Sequence, residues 1–315
     1  MILRAAVLHM GWVGVCLFLI AAPASAQQEL TLKGAIDFHA HQGPDSTARE
    51  IDADDLARLG KAAGERGMIM KNHWESTAAL VYMVRKEVPG IELFGGITQD
   101  LAPGGINLFA VKQMAEMKGG YGKVVWLPTF DSEISVRHAD GKGKGPYVPI
   151  QKDGKLLPSV LALFDYIGQH NLVLETGHIS AQEVLMVVPE AKKHGVQHIV
   201  ITHAMAGPIN MTVPQMQQAA KDGALIEFVY AATLGPDAKL TIPKYAAAIK
   251  AIGPQFCILG TDLGGSPRPF KRPMPPQGLL DFMNALHKEG ISVADINIMA
   301  KTNPALALGL KPQTD

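Results

Sequence analysis

Six side chains of this 315-residue chain, His39, His41, His73, His178, His203 and Asp262, each stand where a short apolar run stops. The runs span 35–38, 67–70, 172–174, 198–201 and 256–259. Imidazoles and a carboxylate are ligands for a divalent cation, and such a cation activates water, so the chemistry within their reach is metal-assisted hydrolysis. That chemistry needs all six in one place. If the runs are parallel strands closing into a barrel, their C-terminal edges meet at one mouth.

His39 and His41, in Asp37-Phe38-His39-Ala40-His41, alternate at period two and so point to the same side of a strand, where they can hold one ion. An isolated His-x-His is often structural; its place at the end of a first strand gives this one its weight. His178 and His203 end the fifth and sixth runs and are predicted ligands. Neutral imidazole suits zinc, iron, nickel, cobalt or manganese, and no thiolate is at hand to select a softer ion. Asp262 ends the eighth run, beside His39 and His41 in a closed barrel. There it can touch the ion and take a proton from water; the alternative is a turn aspartate before Gly264-Gly265.

Lys71 and His73 share a face at the end of the second run. An ammonium beside a cation is unfavourable, so Lys71 is expected to be neutral, paired with a carboxylate, or converted to a carbamate that bridges two ions. Glu175 lies three residues before His178, an odd offset that predicts the opposite face and an ion pair outside the barrel. Asp45, in Gly43-Pro44-Asp45-Ser46, is a candidate to orient substrate or a ligand histidine, with a turn role as the alternative. Thr129 and Trp126 are expected to line the site. His138, His170, His194, His198 and His287 do not stand at strand ends and are assigned to helices or loops.

Positioning these groups takes eight β-like runs, at 35–41, 67–73, 91–98, 123–129, 171–178, 198–204, 224–230 and 256–262. Several are continuously apolar, as in strands covered on both faces. Helix-like segments at 52–66, 77–88, 106–117, 158–170, 181–194, 213–222 and 243–252 alternate with them. This predicts an α/β fold, a single-domain (β/α)8 TIM barrel over residues 27–315. Two connections, 130–157 and 263–277, are too long for simple links and are expected to lie on the mouth side. Their cations Arg137, Lys142, Lys144, Arg268, Lys271 and Arg272 could attract a carboxylate, with Arg137 and Arg268 named as substrate contacts.

The first 26 residues stand apart. Residues 1–4 supply a positive start, 13–22 an apolar stretch, and Ala24-Ser25-Ala26 a cleavage site, the pattern of a cleaved signal peptide. Cys16 lies in that leader and Cys257 in an apolar run, so no internal disulfide is expected in an exported, periplasmic or secreted protein. Lysine plus arginine equals aspartate plus glutamate at 29 each. No net field invites nucleic acid or an anionic membrane, and a small molecule is the expected partner, with a homo-oligomer left open.

The ordered set of His39-Ala40-His41, His178, His203 and Asp262 resembles the amidohydrolase superfamily of metal-dependent hydrolases. The blocks 37–45, 71–77, 125–129, 176–180 and 261–264 are similar to its uncharacterised DUF6282 group. The resemblance spans essentially all of residues 27–315. It implies one or two divalent ions, Zn2+ first among them, with Asp262 and His203 in catalysis. Many binuclear relatives bridge their ions with a strand-four lysine or glutamate, whereas this strand ends in Leu127-Pro128-Thr129. The resemblance then points to Lys71, as a carbamate, in the bridging role with His73 nearby. The expected function is hydrolysis of an amide, cyclic imide, lactone or ester of a small, anionic or neutral substrate. The alternatives are a mononuclear decarboxylase or hydratase, and a non-catalytic periplasmic binding protein.

Overall fold

The computed structural model describes residues 1–2, 29–138 and 141–313. The signal-peptide expectation, which concerns residues 1–26, falls almost wholly outside them. Eight parallel strands form one sheet in chain order: β1 (Ile36–His41), β2 (Gly67–Lys71), β3 (Glu92–Thr98), β4 (Gly122–Trp126), β5 (Val173–Glu175), β6 (His198–Ile201), β7 (Leu225–Val229) and β8 (Cys257–Gly260). The last meets the first just past its end. Asp262 N donates to His39 O at 2.7 Å, and His41 N donates to Leu263 O at 2.9 Å.

The connections between strands are helical. Helices Ala53–Ala63, Ala78–Glu87, Leu108–Ala115, Pro158–Gln169, Ala181–Lys193, Val213–Lys221 and Ile242–Ile252 fall within or beside the predicted segments. Their ends follow local chemistry: Ser180 with Glu183 and Thr212 with Gln215 form capping boxes, each satisfying two otherwise unpaired backbone donors. The sequence reading missed helix Pro275–Lys288, which the Gly/Pro-rich lead-in at 263–277 obscured. It also missed a short helix, Glu133–Arg137, and a hairpin, Gln151–Lys152 with Lys155–Leu156, both inside the first long connection. Among the described residues no helix is long and apolar enough to cross a membrane.

The barrel interior is packed below and polar above. Ile36, Phe38, Ile69, Phe94, Val124, Trp126, Val173, Val200 and Ile258 fill the lumen, and Ala305, Ala307 and Leu308 of the C-terminal segment join that cluster. Trp126 therefore belongs to the lumen core and is only 1 % exposed. A shift in β1 makes the polar layer possible. Phe38 packs inward, yet Ala40 packs outward against Leu56, Met68 and Met70, and the β1–β2 register slips between Asp37 and Ala40. Such a bulge reverses which face successive residues present. It is what lets His39 and His41 follow Ile36 and Phe38 into the same lumen.

Strands β2, β4 to β6 and β8 end two or three residues before the predicted edges. His73, His178, His203 and Asp262 thus stand on the first loop residues, where the backbone turns sharply. His203 has φ +28°, Asp262 φ +53° and Gly177 φ +60°. A Cβ at Gly177 would collide with the Leu127 carbonyl oxygen, so only glycine fits that turn.

Candidate metal centre and active site

His39 and His41 enter from β1 with their rings fixed from behind. Nδ1 of His41 lies 3.1 Å from the carbonyl oxygen of Lys71, which can only accept, so that nitrogen carries the proton and Nε2 a lone pair. His39 Nδ1 faces Glu227 Oε2 at 3.2 Å, and the same oxygen accepts the backbone N–H of His203 at 2.7 Å. With Glu227 as acceptor, His39 also presents Nε2 as a lone pair. Both lone pairs face Asp262 Oδ1, at 3.1 Å from His41 and 3.4 Å from His39.

Two imidazole lone pairs and a carboxylate oxygen facing one another form a donor set for a positive centre, and Lys71 Nζ already lies 3.2 Å from the His39 member. His203 Nδ1 adds a buried ring nitrogen with no hydrogen-bond partner. This donor set fits a divalent cation. Ligand atoms of His39, His41 and Asp262 all lie within 4.8 Å of one another, as do those of His39, Glu175 and Glu227.

The remaining histidines close the ring. His178 and His203 have ring centroids 4.8 Å apart, and His203 stacks on His39 at 5.9 Å. His73 stacks on His41 at 5.2 Å. Its Nδ1 is 2.7 Å from Thr129 Oγ1, whose hydroxyl closely contacts Asp100. Thr129 is thus buried behind His73, supporting the histidine through its hydroxyl.

Burial is the main reason that all five imidazoles are less basic than usual. It holds His39, His73 and His178 well below 6.5, lowers His41, and brings His203 down to about 4. Asp262 goes the other way: burial opposes its ionisation, but the cluster of His39, His41 and His203 around it outweighs that and keeps it well below the carboxylate range. Neutral rings beside an ionised carboxylate are the protonation states that cation binding requires.

A pH prediction follows from these directions. A depressed histidine pKa means that the unfolded chain binds more protons than the folded one between the two values. For His203 the stabilising contribution is complete above pH 6.5 and lost as pH falls towards about 4. That residue alone accounts for on the order of 3 kcal/mol. The melting temperature should therefore fall steeply between pH 6.5 and 4, with release of any bound metal. A thermal melt and metal assay showing no change across that interval would contradict the assignment.

Lys71 and Glu175 lie together beneath the histidines, and of the two only Glu175 departs from the sequence reading. Lys71 is fully buried, with Nζ 3.2 Å from His39 Nε2 and 5.5 Å above the Trp126 ring. Burial lowers its pKa, while Glu175, Asp262, Glu227 and Asp100 oppose that shift. Glu175 points inward, buried among these groups and accepting from Thr202 Oγ1 at 2.9 Å. The expectation of an outside ion pair fails because the strand ends at Glu175. The left-handed Gly177 breaks the alternation on which that offset relied.

The outlying substrate candidates lie farther out. Asp45 is bound to Arg49, whose charge reaches His41 and His73. Arg137 lies over Tyr147 at 4.7 Å, in a groove shared with Gln151, Ser180 and Glu183 and apart from the histidine cluster. Arg268 is exposed on the 263–277 connection. Glu227, Asp100, Arg49 and Phe130 escaped the sequence reading. A signal existed for Glu227, which interrupts the apolar run Ala224-Leu225-Ile226-Glu227-Phe228-Val229, because a charge inside a buried strand must find a partner.

The fold and site define an eight-stranded parallel α/β barrel with histidines and an aspartate gathered at its C-terminal mouth. More narrowly, residues 34–227 match the family of unknown function DUF6282, and the chain belongs to that family. No curated protein matches the chain. Among solved structures it is similar to an amidohydrolase from Pseudomonas aeruginosa, at 13% identity and TM-score 0.61 over 88% of this chain and 95% of that one. It is also similar to an organophosphorus hydrolase from Deinococcus radiodurans, at 15% identity and TM-score 0.58 over 88% and 92%. A mutant PTE-like lactonase from the same organism gives 15% identity and TM-score 0.59 over 88% and 96%.

Proposed function

We propose that this chain is a metal-dependent hydrolase acting on an amide, cyclic imide, lactone or ester of a small, anionic or neutral substrate. The observation that carries the reading is the meeting of His39 Nε2 and His41 Nε2 at Asp262 Oδ1, within 3.4 Å, in a mouth where the surrounding imidazoles are neutral. His39, His41, His178, His203 and Asp262 would hold the cation, with Lys71 and His73 beside it. When bound, the cation supplies Lewis acidity, polarising a carbonyl or phosphoryl group and acidifying water.

The chain's own groups do the rest. Asp262 is 28 % exposed, so its carboxylate reaches the open mouth and takes the proton that leaves the attacking water. His203, turned into the site by its left-handed backbone, assists the oxygen on which negative charge develops. Glu227 holds His39 and His203 in place for both tasks.

The finer proposals are Zn2+ as the ion, a bridging carbamate on Lys71 if two ions bind, and export to the periplasm or beyond. A mononuclear decarboxylase or hydratase is the second reading. The end of β4 favours it, since Leu127-Pro128-Thr129 offers no lysine or carboxylate to bridge a second ion. Metal per chain should be measured on protein purified without chelator, alongside the intact mass. About two ions falling to one or fewer in Lys71→Ala, with a carbamate adduct in the wild type, supports the bridged hydrolase. One ion unaffected by the substitution supports the mononuclear reading, and none revives a binding protein. A panel of lactones, amides and carboxylic acids then separates hydrolysis from decarboxylation.

A further inference from the structure

Large apolar side chains scattered singly over a surface need no explanation, but Phe130 is not such a case. It is 51% exposed, yet its ring lies 4.2 Å from that of His73 and meets His178 edge-on at 5.4 Å. Four rings step outward from the centre. His41 and His73 are 5.2 Å apart and tilted by 24°, His73 and Phe130 by 38°, and Phe130 and Trp74 are 5.8 Å apart at 27°. The series begins on a candidate ligand and ends on the rim with half of Phe130 uncovered.

We propose that the substrate carries a planar aryl group next to the bond that is broken, and that Phe130 with Trp74 forms the wall it lies against. The inference rests on reading the mouth as the active site. A guest ring cannot slide between Phe130 and Trp74, because a stacked ring needs about 3.5 Å on each side. It lies instead against the uncovered part of Phe130, which continues the series of rings outward. His73 adds no charge to this wall, since burial and the charge of Lys71 hold its ring neutral. Ring-on-ring contact discriminates by shape and quadrupole as well as by area, and an aryl group gains over a saturated ring of similar size.

The test is isothermal titration of the full-length mature protein with benzamide and with cyclohexanecarboxamide, for wild type, Phe130→Leu and Phe130→Ala. Half of Phe130 is exposed, so either substitution should lower the melting temperature by no more than a few degrees, which is checked in parallel. Benzamide should bind wild type about 3- to 10-fold more tightly than its saturated counterpart. Phe130→Leu, which keeps apolar area but no ring, should erase that preference, and Phe130→Ala should weaken both ligands. Equal binding of the two amides by wild type, a preference that survives Phe130→Leu, or no benzamide binding at all would overturn the proposal. Turnover of phenyl acetate and ethyl acetate is followed separately. Aryl-selective binding with no ester hydrolysed would sink the hydrolase reading and leave the aryl wall standing.

Discussion

Replacing Asp262 with asparagine is expected to lower kcat/KM by about 10²- to 10⁴-fold, the range associated with loss of a positioned proton acceptor. The substitution isolates chemistry from architecture. Asp262 sits at φ +53°, a conformation that asparagine tolerates as readily as aspartate. Its backbone N–H still reaches His39 O, so the seam between β8 and β1 stays closed. What disappears is the negative charge between His39 and His41 and the oxygen that can take a proton. The melting temperature should stay within a few degrees of wild type while turnover collapses. A variant that keeps activity within about threefold would remove Asp262 from the proton-transfer role.

Glu227→Gln should weaken metal binding by about 10- to 100-fold, as is typical when a group that orients a metal-ligating histidine is lost. One carboxylate oxygen now serves two partners, the His39 ring and the His203 backbone. A glutamine can keep its oxygen on His203 N–H, but its amide nitrogen competes for the His39 side. If it donates there, His39 Nδ1 must accept and Nε2 carries the proton, facing the ion with a hydrogen in place of a lone pair. Competition between the protein and a fluorescent zinc chelator measures the change, and circular dichroism verifies the fold. An affinity equal to wild type would show that the His39 tautomer is set by something other than Glu227.

These two residues also mark where sequence reasoning worked and where it stopped. Asp262 was legible because it ends an apolar run in the eighth of eight repeats, and that rhythm alone places it next to His39 and His41. Glu227 was hidden because it lies inside a run that otherwise reads as buried strand. Glu175 was misplaced for a related reason: alternation counts residues along a regular strand, and the backbone between Glu175 and His178 is not regular. Thr129 shows the same limit on the substrate side, since its hydroxyl is spent on His73 and Asp100, groups that approach from other strands.

Apolar periodicity and turn chemistry along the chain determined the α/β alternation, the number of barrel strands and the end of the barrel at which the polar residues gather. These are local properties, dictated by which residues can be buried and which backbone angles they accept. Only the tertiary structure decided that a bulge in β1 turns His39 and His41 into the lumen after Phe38. It alone decided that Lys71, Glu175 and Glu227 share one buried layer beneath them, and that Phe130 stands beside His73. Those arrangements depend on register between strands and on desolvated charges finding partners across the barrel, and neither is written in the order of residues along one strand.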